Sequence, residues 1–303
     1  MNVKGMKSPG TRFLTLVPYL WLILFFALPG LIVFRISLSQ AALAQPPYTP
    51  AFDIAAGWTG VVEFVRGLAF SNYAMLAGDT LYIASYLKSL QIALISTAIL
   101  FVTGLPIAYA ISRLTPRGQT IGVMLVILPF WTSFLIRVYA WITILQHDGL
   151  LNRALLALRI VDAPVPWLAS DPAIYIGIVY SYLPFMVLPL YATLQKIDPF
   201  LLEAAADLGA GRTRTFFAVT LPLALPGIAA GCLLCFIPIV GEFVIPDLLG
   251  GSETVMIGQT LWTEFFSNKD WPVASAIAIV LLCVLVLPIA AFERLRLRDA
   301  ERS

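Results

Sequence analysis

Long apolar runs separated by short polar stretches dominate this chain, and the length of the runs is the first clue to its surroundings. Windows of about 20 apolar residues recur, enough helix to cross a hydrocarbon layer of about 30 Å. Six spans can be drawn, at about 13–36, 87–111, 120–145, 172–192, 221–241 and 272–292. The pattern predicts an all-α polytopic membrane protein with six transmembrane helices. It divides into a tail over 1–12, a transmembrane domain over 13–292 with its core at about 85–292, and a second tail over 293–303. Between the first two spans, FSNYAMLAGDTLYIASYLKSL predicts a short surface helix leading into span two.

Composition agrees with this reading. Of the 303 residues, 60% are hydrophobic and only 12% charged, where a soluble domain carries roughly 25% charged residues. The first run, Phe13 to Ser37, follows Lys4, Lys7 and Arg12 in the manner of a signal peptide. It is too long for one, and no clear small-residue cleavage site ends it, so a retained span is expected. The three cysteines, Cys232, Cys235 and Cys283, all sit in apolar runs. The C-x-x-C spacing of the first two has no His or Cys cluster beside it, which leaves them as small packing residues. His147 stands alone in a loop, without a metal or catalytic signature.

Charge sets the expected orientation. With the N-terminus in the cytoplasm, the inner segments hold Lys4, Lys7, Arg12, Arg113, Arg117, Lys196, Arg212, Arg214, Arg294, Arg296, Arg298 and Arg302. The outer loops hold only Arg66, Arg153, Arg159 and Lys269, against eleven acidic residues. Basic residues concentrate on the cytoplasmic side, so both termini are placed there. The acidic outer mouth would concentrate a polycation, although the positive-inside bias alone also strips outer loops of basic residues.

The segment EAAADLGAGRTRTFFAVTLP, Glu203 to Pro222, then falls in the inner loop between spans four and five. Asp198 followed by Pro199 is a helix-start signal, and Gly209 suits the left-handed turn that ends a helix. A second short helical piece is expected at about 212–219 before span five begins at Leu221-Pro222. The product is a helix pair with a small-residue face at Ala204, Ala205 and Ala206 and one charge at Glu203. On these grounds alone it is either an amphipathic connector or a docking element.

The order of residues here resembles a known motif. Glu203-Ala204-Ala205, Gly209 after three further residues, then nine residues and Val219-x-Leu221-Pro222 is similar to the EAA loop. That loop marks the permease subunits of binding-protein-dependent ABC importers; Val219 stands where the family usually has Ile. LPFWTSFLIRVYAWITIL (Leu128 to Leu145), YSYLPFMVLPLYATL (Tyr180 to Leu194), GEFVIPDLLGG (Gly241 to Gly251) and DWPVASA (Asp270 to Ala276) resemble the polyamine members, which carry putrescine and spermidine. The likeness covers roughly residues 65–292. It implies a type I ABC importer permease fold in the cell inner membrane, with a coupling loop at 196–222. Glu203, Ala204, Ala205 and Gly209 would form the docking surface for an ATPase subunit.

The resemblance also implies partners. These are a second permease subunit, two ATPase subunits and an extracytoplasmic binding protein that delivers the cargo. The chain has no G-x-x-x-x-G-K-[ST] phosphate loop, so ATP and Mg belong on the separate ATPase, with no cofactor in this chain. Membrane lipid is an expected partner and nucleic acid is not. A related cargo, such as an opine or an amino-acid derivative, stays open within the same fold. A secondary transporter would need no ATPase, and a membrane-embedded scaffold or sensor would need no groove-docking loop.

For the pathway, Glu242, Asp247, Trp131 and Tyr182 are the candidates. Carboxylates partly shielded from water attract ammonium groups strongly, and aromatic faces hold them by cation–π contact, although most such aromatics are interface belt or packing. Arg137, within span three, costs roughly 2.5–3.5 kcal/mol to insert and must face protein or water. It is held by carbonyls, reaches outwards, or pairs with Glu242. Pro184, Pro189 and Pro238 can free carbonyls near a pathway or merely kink their helices.

Overall fold

The computed structural model describes residues 9–50 and 67–302. The basic residues Lys4 and Lys7 and the loop residues Asp53, Glu63 and Arg66 lie outside that range. Two compact units divide the chain.

The first unit takes in the chain up to Thr80 and Leu261–Cys283. It opens with α1 (Pro9–Leu22), a π turn (Ile23–Ala27) and α2 (Leu28–Ser37). The π turn stands just before Leu28-Pro29. A proline has no N–H to give the carbonyl four residues back and its ring crowds that carbonyl, so the ladder widens, with Leu28 N–H donating to Ile23 O. The end of α2 leaves carbonyls without helical partners. Asn72, in α3 (Ser71–Gly78), donates through Nδ2 to Ser37 O and Ser39 O, both at 2.8 Å. α3 is the short helix expected before span two. A two-residue hairpin pairs β1 (Gln40–Ala41) with β2 (Tyr48–Thr49), Gln40 opposite Thr49.

The second unit, Leu81–Thr260 and Val284–Ser303, is built from long apolar helices. α4 (Thr80–Ser112) starts seven residues earlier than expected for span two. α5 (Pro116–Ile127), capped by Thr115, continues as a 3₁₀ turn (Leu128–Trp131) before α6 (Phe134–Leu145) and α7 (Leu150–Ala157). α8 (Asp171–Leu194) leads to α9 (Pro199–Asp207) and α10 (Arg212–Thr215). A π turn (Phe216–Thr220) then joins α11 (Leu221–Val240). α12 (Val244–Leu249) and most of α13 (Ile257–Trp262) follow; a π turn (Thr263–Ser267) returns to the first unit, and α14 (Trp271–Arg302) has residues in both.

Two expectations change. Span three is not one straight helix over 120–145: the helical stretches Pro116–Trp131 and Phe134–Ala157 meet at 90°. Pro129 is the cause, because it cannot donate to the turn before it. The helix tightens to 3₁₀ and stops, and Pro129 O instead accepts from Thr132 N at 3.3 Å and Thr132 Oγ1 at 2.8 Å. Conversely, the piece at 212–219 is not separate from span five. Helix runs from Arg212 to Val240, because a π turn ahead of Leu221-Pro222 absorbs the proline without breaking the rod. Five helices among the described residues are long and apolar enough to cross a membrane, or up to six if the bent pair counts as one span.

α8 is the most buried of these candidate spans, and it packs along α11. Gly227 and Gly231 of α11, four residues apart, let the two backbones approach closely. A Cβ at Gly227 would meet Thr193 Oγ1 at 2.4 Å and Pro189 O at 2.9 Å, and one at Gly231 would meet Met186 Sδ at 2.9 Å. Overpacking costs about 1–3 kcal/mol, so Gly227→Val should lower the thermal midpoint of the purified chain by several degrees. Gly30→Val, where a new Cβ meets nothing within 4 Å, is the matched control and should stay within about a degree. Equal midpoints for the two variants would contradict this account of the contact.

Candidate functional site

The loop between α8 and α11 has the geometry of a rigid, presented helix. Asp198 Oδ1 accepts from Phe200 N at 3.0 Å, closing the start of α9. At the other end Gly209 takes φ +79°, with Gly209 N donating to Ala206 O at 2.8 Å and Ala210 N to Ala205 O at 3.0 Å. This pair of bonds is the Schellman closure that glycine permits. Glu203, Ala204 and Gly209 are exposed and Ala205 is half-buried, so the four expected docking residues share one short element. Sequence reasoning missed its apolar component: Phe200 is 74% exposed and Leu208 89%. Two bulky apolar side chains thus stand open on this polar loop.

Of the four pathway candidates, the structure joins two. Tyr182 Oη donates to Glu242 Oε2 at 2.6 Å, a charge-assisted contact. Glu242 Oε1 accepts from Val244 N at 3.0 Å and Ile245 N at 3.4 Å, so the carboxylate also caps α12. It is 8% exposed. Asp247 is exposed on α12 and Trp131 is 80% exposed beside the helix break. No hydrogen bond or ring contact ties either to the Tyr182–Glu242 pair among the described residues. Tyr182 instead reaches Phe185 at 6.0 Å between ring centroids, and Phe185 meets Phe130 edge-on at 5.3 Å.

Among the described residues Arg137 pairs neither with Glu242 nor with a carbonyl. Its guanidinium lies over Phe130 at 4.7 Å and Phe134 at 5.8 Å. It is 8% exposed, and its Nε and Nη1 have no hydrogen-bond partner among the described residues. A second polar feature sits where α4, α8 and the segment after α12 meet. Lys88 Nζ donates to Asp171 Oδ2 at 2.6 Å, and Thr254 Oγ1 donates to Asp171 Oδ1 at 2.6 Å. With Ser252 and Glu253 they line a cleft of about 460 Å³. Lys88 carried no sequence signal, being counted inside an apolar span.

A polytopic membrane subunit with a capped, outward-presented helix between two packed spans is the class of protein that these features define. Residues 8–292 match the family described as binding-protein-dependent transport system inner membrane component, and the chain belongs to that family. The spermidine/putrescine transport system permease protein PotB of Salmonella typhimurium is 37% identical over 277 residues, 90% of this chain and 89% of that protein. The PotB protein of Escherichia coli is equally similar, with 93% of its length covered. The inner membrane ABC transporter permease protein YdcU of Escherichia coli is 32% identical over 71% of this chain and 72% of that one. Among solved structures, a bacterial ABC transporter involved in alginate import shares the fold. Its TM-score is 0.66 at 19% identity, over 94% of this chain and 95% of that one.

The two buried charges have opposite consequences for stability. A buried cation without hydrogen-bond acceptors is a net cost, whereas Glu242 is matched by three donors. Arg137→Met should therefore raise the thermal midpoint of the isolated chain in neutral detergent, while Glu242→Gln should lower it. Shifts of the same sign would refute this assignment.

Proposed function

We propose that this chain is one transmembrane subunit of an ATP-driven importer of polyamines of the putrescine and spermidine type. The observation that carries this is the 37% identity to spermidine/putrescine permeases over 90% of the chain. The exposed, doubly capped helix α9 supports it, since a helix so presented can dock into a groove on an ATPase. The chain works by transport and not by covalent catalysis. It crosses the inner membrane six times, the broken third span included, with both termini in the cytoplasm. A second permease subunit completes the pathway, two ATPase subunits hold ATP and Mg, and an extracytoplasmic binding protein delivers the amine. Glu203, Ala204, Ala205 and Gly209 contact the ATPase. Glu242, Asp247, Trp131 and Tyr182 belong to the cargo pathway, Glu242 acting through the Tyr182 hydroxyl it holds.

The direct test is uptake of labelled putrescine and spermidine by proteoliposomes holding the assembled importer, its binding protein outside and ATP inside. Glu203→Lys and Gly209→Glu should leave the chain inserted but separate ATP hydrolysis from uptake. At Gly209 a side chain must also enter the left-handed region, which costs roughly 1–2 kcal/mol. Wild-type uptake and ATPase association in both variants would remove α9 from coupling. For topology, cysteines placed at Ser170 and Ser252 should react with an impermeant thiol reagent from outside, and one at Thr213 should not. Labelling at position 213 in sealed, right-side-out vesicles would invert the orientation.

A further inference from the structure

Gln119 lies in the first turns of α5, outside every motif discussed above, yet its side chain joins three elements. Its Nε2 donates to Ser112 O at 3.2 Å and Leu114 O at 3.0 Å, the carbonyls that end α4 and begin the inner turn. Its Oε1 accepts from Tyr191 Oη at 3.1 Å and Gln195 Nε2 at 3.4 Å, both at the end of α8. A primary amide has two N–H donors and two acceptor lone pairs, and here all four are used. The two carbonyls only accept, so the orientation of the amide is set by its surroundings. The side chain is half-buried, and its bonds to Ser112 O and Tyr191 Oη are the more sheltered pair.

Position gives this junction its meaning. α8 ends at Leu194 and α9 begins at Pro199, so Gln195 is the first residue of the short strap that carries the docking helix. α5 packs on α8, and Tyr109 of α4 meets Phe216 after α10 edge-on at 5.3 Å, so spans two and three touch this region through apolar contacts. Gln119 adds a directional tie between the α4–α5 turn and the strap itself. We propose that Gln119 is a positioning residue for coupling: it makes the α4–α5 turn and the inner end of α8 move as one body, so that displacement of α9 reaches spans two and three. This rests on the permease reading given above.

Two measurements on the full chain test it. In the assembled importer, Gln119→Leu should lower the amine imported per ATP hydrolysed by about fivefold, with the amount of bound ATPase unchanged. Tyr191→Phe, which removes one arm from the other side, should give a smaller loss. The double variant should be no worse than Gln119→Leu, because both remove the same contact. Additive losses, or a wild-type ratio in Gln119→Leu, would overturn the proposal. If Gln119→Leu fails to assemble, Tyr191→Phe and Gln195→Leu carry the same comparison. The second measurement needs no cargo: nitroxide labels at Arg117→Cys and Asp207→Cys should show a narrow distance distribution that broadens in Gln119→Leu. An unchanged distribution would overturn the proposal. A wild-type importer that moves no amine while this broadening is seen would count against the cargo reading alone.

Discussion

Close contact between α8 and α11 is the constraint on which the rest of the second unit depends. In an apolar surrounding, helices gain little by hiding carbon from water, and association relies on tight packing. Gly227 and Gly231 supply that by letting Thr193, Pro189 O and Met186 come within contact of a bare backbone. Met186 is fully buried, and on its other side Gly104 of α4 leaves it room in the same way. One unbranched, adaptable side chain thus fills the space between three spans. Further along α8, Gly177 receives Leu249 and Ile245, which seat α12.

α9 and the Asp171 cluster are both attached to this rod. α8 has 24 residues, about 36 Å of helix, so its two ends reach both faces of a membrane. At one end Asp171 holds Lys88 and Thr254; at the other, Tyr191 and Gln195 meet Gln119 before the chain turns into α9. Tyr182 lies between them and holds Glu242. One long helix thus carries a polar cluster at each end and holds a buried carboxylate partway along.

Arg137 sets a different kind of constraint. Its guanidinium is enclosed by Phe130 and Phe134 on either side of the helix break, with two donors unfilled. Phe130 belongs to the turn before the break and Phe134 to the helix after it, so the cation bridges the bend that Pro129 creates. The ring contacts offset part of the burial cost but leave the Nε and Nη1 hydrogens without acceptors among the described residues. Such a cost persists only where the neighbouring packing over-determines the side chain. Burial of Val138, the next residue in α6, fits that condition.

Much of this protein was legible in one dimension, for reasons of length and local chemistry. Apolar runs long enough to span a bilayer read directly as helices, and α8 begins and ends within two residues of the expected bounds. The caps of α9 were equally readable, because Asp198, Pro199 and Gly209 act on backbone groups one to three positions away. Proline was harder, since its effect depends on how the ladder relaxes: Pro129 breaks span three, whereas Pro222 is absorbed in a π turn. Long-range polar pairing was out of reach. The choice of Tyr182 over Arg137 as the partner of Glu242, the Lys88–Asp171 bridge across 83 positions and the four bonds of Gln119 depend on which helix faces which. Helix faces are settled by packing at sites such as Gly227 and Gly231, where what matters is the shape of the opposing helix and not the identity of neighbours in the chain.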